Sequence, residues 1–156
     1  MKTIIRTMSQ QSAVTIADHW KYEEPYSFYD ATADEEDYQE LIDPEKRNNQ
    51  YYEVWKNKEL YGYFVIILDT PDTAEIGLGL RPDLTGKGLG QSFILEILQF
   101  LTTTFPAVTE VELSVAAFNK RAIKAYQAVG FKESHSFLQQ TNGGTYEFIK
   151  MTKSVD

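Results

Sequence analysis

The apolar positions change period several times along the chain, and each change marks an element. A short run from Thr3 to Met8 predicts a strand, and Ser9 to Trp20 predicts a helix. Residues 21–33 read as a loop rich in aromatics and acids. A second helix is expected from Asp34 to about Asp43-Pro44, with acids in its first turn, where the helix dipole favours them. The runs Tyr51–Lys56 and Tyr61–Leu68 flank Asn57-Lys58-Glu59 and predict an antiparallel hairpin. A third strand from Ala74 to Leu80 contains Gly77 and Gly79, glycines of the kind that mark a bulge or a close backbone approach. Phe93, Ile94, Ile97, Leu98 and Leu101 then fall at helical spacing. Val111, Leu113 and Val115 alternate within a strand from Val108 to Ala116. Asn119 is placed to cap a helix from Lys120 to about Val129, and Gly130 to end it. Two strands, Phe131–Leu138 and Tyr146–Thr152, close the chain across the turn Thr141–Gly144. The order β-α-α-β-β-β-α-β-α-β-β predicts an α+β fold, a mixed central β-sheet flanked by about four helices. With no repeat or flexible linker, residues 1–156 read as a single domain.

Composition narrows the function. A chain of 156 residues, 42% hydrophobic and 13% aromatic, has enough apolar surface for a core and is not a solvated chain. Its formal net charge of −8 argues against nucleic acid and against an anionic membrane as partners. The absence of cysteine removes thiolate nucleophiles and zinc-thiolate sites, and His19 and His135 are too far apart to make a metal site alone, so no metal is expected. The apolar run Tyr63–Leu68 is far short of a membrane span, and Arg6 and Gln10 fall where a signal peptide needs apolar residues. A cytoplasmic protein is the resulting expectation.

The candidate chemistry starts at Gly86, Gly88 and Gly90, between a strand and a helix. Backbone N–H groups and the helix dipole converge at such a point and favour an anion, and Lys87 adds a positive charge. A nucleotide triphosphatase loop is disfavoured because Arg81 stands where its first glycine belongs and Gly88 follows Lys87. The spacing is GxGxG, which is not the dinucleotide fingerprint GxGxxG. A glycine turn that only closes a loop is the structural alternative.

The segment from Leu78 to Gly90, LGLRPDLTGKGLG, resembles motif A of the GCN5-related N-acetyltransferases, Q/R-x-x-G-x-G/A, with Thr85 standing where Gln or Arg is usual. The segment from Asn119 to Phe131, NKRAIKAYQAVGF, resembles motif B of the same family, N-x-x-A-x-x-x-Y-x-x-x-G-F. The resemblance implies acetyl transfer from acetyl-CoA to an amine by direct attack, which needs no protein nucleophile. It implies that the pyrophosphate is held by Thr85, Gly86, Lys87, Gly88, Leu89, Gly90 and Gln91. Backbone groups of Gly79 and Leu80 would then meet the pantetheine and the thioester carbonyl. Asn119 would contact the pantetheine, and Tyr126 would meet the sulfur and protonate the departing thiolate. Asn119 and Tyr126 are seven residues apart, roughly two turns, so they share a helix face.

The base is less legible. Some relatives place Glu where this chain has Ser114, while Glu112 lies one step back on the same strand face. Glu75 is the other candidate, and a water relay or simple exposed strand carboxylates are the alternatives. On the acceptor side, Tyr22, Tyr26, Phe28 and Tyr29 stand among acids in the loop that the resemblance assigns to acceptor binding. Aromatic faces and carboxylates suit an ammonium group. The bland reading is that these aromatics pin the loop to the core. The acceptor amine is open between a small molecule and a protein amino group. Other readings are a ribosomal-protein-type N-terminal acetyltransferase, a non-catalytic acyl-CoA binding or sensing module, and an interaction protein whose aromatics form a homodimer surface.

Overall fold

The computed structural model describes residues 2–155. Seven strands form one mixed sheet in the order β1-β2-β3-β4-β5-β7-β6. They are β1 (Thr3–Thr7), β2 (Tyr51–Lys56), β3 (Glu59–Thr70), β4 (Thr73–Leu80), β5 (Glu110–Ala116), β6 (Lys132–Thr141) and β7 (Gly144–Ser154). Five α-helices accompany them: α1 (Gln10–His19), α2 (Glu35–Ile42), α3 (Pro44–Arg47), α4 (Gly90–Thr104) and α5 (Lys120–Ala128). The additional helix is α3. Asp43 ends α2 with its backbone N–H on the Gln39 carbonyl, and its carboxylate caps Glu45 N–H to start α3. Pro44 takes the first helical position, where its missing N–H costs nothing. The loop 21–33 holds two 3₁₀ turns, Tyr26–Tyr29 and Ala31–Ala33. The β2–β3 hairpin closes on two left-handed residues, Asn57 and Lys58, so β3 starts at Glu59 rather than Tyr61.

The chain divides into two compact units. The first comprises residues 1–64, 78–84 and 140–144. In it β1 pairs antiparallel with β2, with Ile5 opposite Val54. Ala13, Ile16 and Ala17 recur at helical spacing on α1 and pack with Met8, Trp20 and Leu41. Replacing Ile16 by Ala would leave a cavity and cost roughly 2–5 kcal/mol. Two buried charges are matched by partners. Arg47 donates to the Leu41 carbonyl at 2.6 Å and to Gln10 Oε1 at 2.9 Å, tying α3 back to α1 and α2. Glu53 has no exposed surface. Burial pushes its carboxyl up, but Ser9 N–H, Trp55 Nε1, Arg6 and Ser12 all donate to it and hold it below the usual carboxylate range.

The second unit comprises residues 65–77, 85–139 and 145–156. Its α4 buries Phe93, Ile94, Ile97, Leu98 and Leu101, the stripe that the spacing predicts. On β5, Val111, Leu113 and Val115 are buried, which turns Glu110, Glu112 and Ser114 to the other face. β5 pairs with β7 along its whole length, from Glu110 opposite Ser154 to Ala116 opposite Phe148.

Candidate active site

The glycine loop lies in the second unit and reaches α4 through two left-handed residues, Gly86 at φ 72° and Gly88 at φ 77°. Only glycine adopts that backbone without strain. The loop is exposed at Gly86, Lys87, Gly88 and Gln91, with Thr85, Leu89 and Gly90 partly covered. The N-terminus of α4 differs from those of the other helices. Ser9, Asp34, Asp43 and Asn119 each cap a first turn with a side-chain oxygen, whereas Leu89 at the head of α4 offers none. An anion held there would meet N–H groups that no side-chain cap has claimed. A Cβ on Gly86 would fall 3.2 Å from Arg121 Nη1, so a guanidinium from the first turn of α5 stands at the loop together with Lys87. The sequence reading passed over Arg121 because its place at the loop depends on how α4 and α5 pack.

Asn119 and Tyr126 come from α5 as expected, and both are 9% exposed. Asn119 Oδ1 accepts from Ala122 N–H at 3.1 Å, so its side-chain carbonyl caps the helix. The Tyr126 ring meets Phe131 edge-on at 5.7 Å, which makes it part of the core as well as a candidate acid.

Strands β4 and β5 run parallel for only three pairs, from Thr73 opposite Glu110 to Glu75 opposite Glu112. The ladder stops there, although β4 continues to Leu80 and β5 to Ala116. The two candidate bases therefore sit side by side where the pairing ends. Asp69 joins them, and carboxylate oxygens of Asp69, Glu75 and Glu112 lie within 4.8 Å of one another. That spacing is also one a metal ion accepts, and Lys150 Nζ, 3.5 Å from Glu112, already supplies a cation to the cluster. A hydrogen bond with Asp69 and burial both raise the Glu112 carboxyl, against the opposing pull of Lys150. Asp69 is invisible in the sequence reading, since it lies beyond the expected end of its strand.

Gly79 and Leu80 lie in the first unit. A Cβ on Gly79 would sit 2.5 Å from Tyr63 Cε1, so this glycine is required by the tyrosine ring packed on it. Tyr22 donates its hydroxyl to the Leu80 carbonyl at 2.7 Å. Burial, then the neighbouring Tyr63 and Asp30, pushes the Tyr22 phenol far above its ordinary range. Tyr22 thus anchors the loop to β4. Tyr26, Phe28 and Tyr29 share the first 3₁₀ turn, where none is buried, and Phe28 meets Tyr29 edge-on at 5.3 Å. The turn between β6 and β7 is tied to them. Asn142 Nδ2 donates to the Phe28 carbonyl at 2.7 Å, while Asn142 N–H and Thr141 Oγ1 donate to Asp34.

The order of strands, the interrupted β4–β5 ladder and a glycine loop heading α4 define an acetyltransferase-type fold. The family model described as acetyltransferase (GNAT) family matches residues 14–131. The chain belongs to that family, and its class of enzyme is accordingly an acetyltransferase. Solved structures similar to it include the spermidine N-acetyltransferase of Vibrio cholerae in complex with CoA and spermine. The identity is 23%, the TM-score is 0.72, and the match covers 97% of this chain and 95% of that one. Aminoglycoside acetyltransferase AAC(6′)-Ib in complex with coenzyme A matches at 21% identity and TM-score 0.74, over 98% of this chain and 95% of that one. An acetyltransferase of the GNAT family from Streptococcus pneumoniae matches at 15% identity and TM-score 0.67, over 99% and 100% of the two chains. These likenesses establish the fold. No curated protein matches at the level of sequence. Among the described residues no helix is long and apolar enough to cross a membrane.

Proposed function

We propose that the chain moves the acetyl group of acetyl-CoA onto a primary amine by direct attack. The amine nitrogen forms a bond to the thioester carbonyl carbon, and the C–S bond then breaks. The nitrogen loses its proton to a carboxylate, Glu75 or Glu112, and the departing thiolate takes one from the Tyr126 hydroxyl. A free phenol titrates near 10 and a free thiol near 8.5, so Tyr126 has to position the sulfur as well as protonate it.

The observation that carries this reading is the exposed loop Thr85–Gln91, with Gly86 and Gly88 left-handed, Lys87 and Arg121 adding positive charge, and no side-chain cap on α4. Its chemistry suits the pyrophosphate of a CoA thioester. The Asp69–Glu75–Glu112 cluster supports the base, because one Lys opposes three carboxylates and so leaves capacity to accept a proton. The similar structures are named for spermidine and aminoglycoside acetylation, and one of them is in complex with CoA and spermine, which supports a cationic acceptor here, on a small molecule or on a protein.

One observation favours a second reading, a non-catalytic acyl-CoA binding module: Tyr126 is nearly buried and packed on Phe131. Replacing Tyr126 by Phe separates the two. The enzyme reading expects a loss of turnover at nearly unchanged CoA affinity. The binding-module reading expects no acetyl transfer to any amine from the wild-type protein.

A further inference from the structure

The start of α5 runs against the charge pattern of the rest of the chain. The formal net charge is −8, with 23 acids against 15 Lys and Arg. Yet residues 85–95 and 113–131 contain no acid, and they carry Lys87, Lys120, Arg121 and Lys124, all exposed. A helix dipole favours acids in the first turn, and α2 follows that rule with Glu35, Glu36 and Asp37. The first turn of α5 has no acid and begins Lys120-Arg121. Cations at the positive end of a helix are unfavourable, and a bound anion offsets that cost.

The packing of α4 against α5 fixes where these cations stand. A Cβ added to Gly90 would lie 3.9 Å from Ala125 Cβ, and one added to Gly86 would lie 3.2 Å from Arg121 Nη1. Gly86 and Gly90 are four residues apart, as are Arg121 and Ala125. Ala125 is therefore set against the head of α4, and Arg121, one turn of α5 earlier, against the loop that leads into it. Two separate points for an anion result. One is the head of α4, where no side-chain cap claims the N–H groups of the first turn. The other is the Arg121 guanidinium beside Gly86.

Two such points suit a ligand with two separated anionic groups. CoA has a pyrophosphate on the 5′ oxygen of its ribose and a monophosphate on the 3′ oxygen. ATP and NADH each carry a single phosphate chain. Resting on the acetyl-transfer reading, we propose that Arg121 is a specificity-determining residue that pairs with the 3′-phosphate of CoA, while the backbone at the head of α4 holds the pyrophosphate. A planar guanidinium meets a phosphate with two parallel hydrogen bonds, which a lysine cannot do. Lys120 and Lys124 add their fields from the same helix. The assignment gives a reason for choosing CoA over nucleotides that share only its pyrophosphate.

The test is a calorimetric titration of the protein with CoA and with 3′-dephospho-CoA, which differ only in that phosphate. Neither carries an acetyl group, so only binding is measured. Wild type should bind CoA at least about tenfold more tightly than dephospho-CoA, the scale of one charge-assisted contact. Arg121→Gln should bring that ratio within about threefold, and Arg121→Lys should keep part of it. The wild-type ratio needs no variant, so the proposal stays testable if a variant folds poorly. A ratio near one in wild type, or an unchanged ratio in Arg121→Gln, would overturn the assignment. A companion assay with acetyl-CoA and a panel of mono-, di- and polyamines separates this inference from the reading beneath it. Equal binding of the two ligands with acetyl transfer would sink the Arg121 assignment alone. Binding that depends on the 3′-phosphate, without transfer to any amine, would sink the transferase reading alone. No binding of either ligand would overturn both.

Discussion

In the unit built around α4 the candidate chemistry is carried by backbone. Gly86 and Gly88 are left-handed and the start of α4 has no side-chain cap, so under the proposed function backbone conformation would hold the pyrophosphate and side chains would only add charge. In the unit built around α1 and α2 it is carried by side chains from distant positions: Tyr63 packed on Gly79, Tyr22 on the Leu80 carbonyl and Asn142 on the Phe28 carbonyl. A backbone site has to be written locally, because only certain residues adopt its torsions. A side-chain site is assembled by packing, and its members need no fixed spacing. The same contrast suits a shared cosubstrate on one side and a variable acceptor on the other.

The largest effect that tests this contrast is on turnover. Tyr126→Phe is expected to lower kcat by about 100-fold or more, the usual scale for losing a general acid, while CoA affinity stays within about threefold. Steady-state kinetics beside calorimetry checks both, and unchanged kcat would leave Tyr126 as a core residue only. Next is the backbone itself. Gly86→Val forces a branched side chain into φ 72° and toward Arg121, a strain of roughly 1–2 kcal/mol, so CoA binding should fall about tenfold. A variant that binds CoA like wild type would mean that the loop torsions are incidental.

These predictions reflect what could be read in advance. The glycine loop, the Asn119 cap and the apolar stripe of α4 were all legible, because capping, left-handed torsions and helical periodicity are local. The end of the β4–β5 pairing was legible only in part: Gly77 and Gly79, just past the last pair at Glu75 and Glu112, mark an irregular β4, but nothing local fixes where the ladder stops. Arg121 and Asp69 were missed because each is an ordinary charged residue until tertiary packing sets it beside Gly86 or Glu112. That Tyr22 donates its hydroxyl to the Leu80 carbonyl was not legible either, since the partner lies 58 residues away. The turn at Pro44 was legible as a helix end, but not as the start of α3, because Asp43 serves both helices.

Smaller effects test how the side-chain unit is held. Glu53→Gln should destabilise by about 2 kcal/mol, since it breaks charge-assisted bonds to Arg6 and Ser9 in a fully buried site. Because the Glu53 carboxyl is held low in the folded chain, its contribution is complete above the unfolded value near 4.3. It is lost as pH falls through the lower folded value. Wild-type melting temperature should therefore drop in acid below about pH 4.3 more steeply than that of the Gln variant, as thermal melts across that range would show. The smallest change is Thr141→Ala, which removes one bond from the β6–β7 turn to Asp34 and should cost about 1 kcal/mol. Chemical denaturation resolves that loss, and no change would mean that Asn142 alone holds the turn.

The most direct test of the central claim is a calorimetric titration of the protein with acetyl-CoA, CoA, ATP and NADH. The glycine loop at the head of α4 predicts that both CoA species bind and that ATP and NADH do not. Failure of acetyl-CoA and CoA to bind, or equal binding of all four, would contradict the assignment of that loop to a CoA thioester.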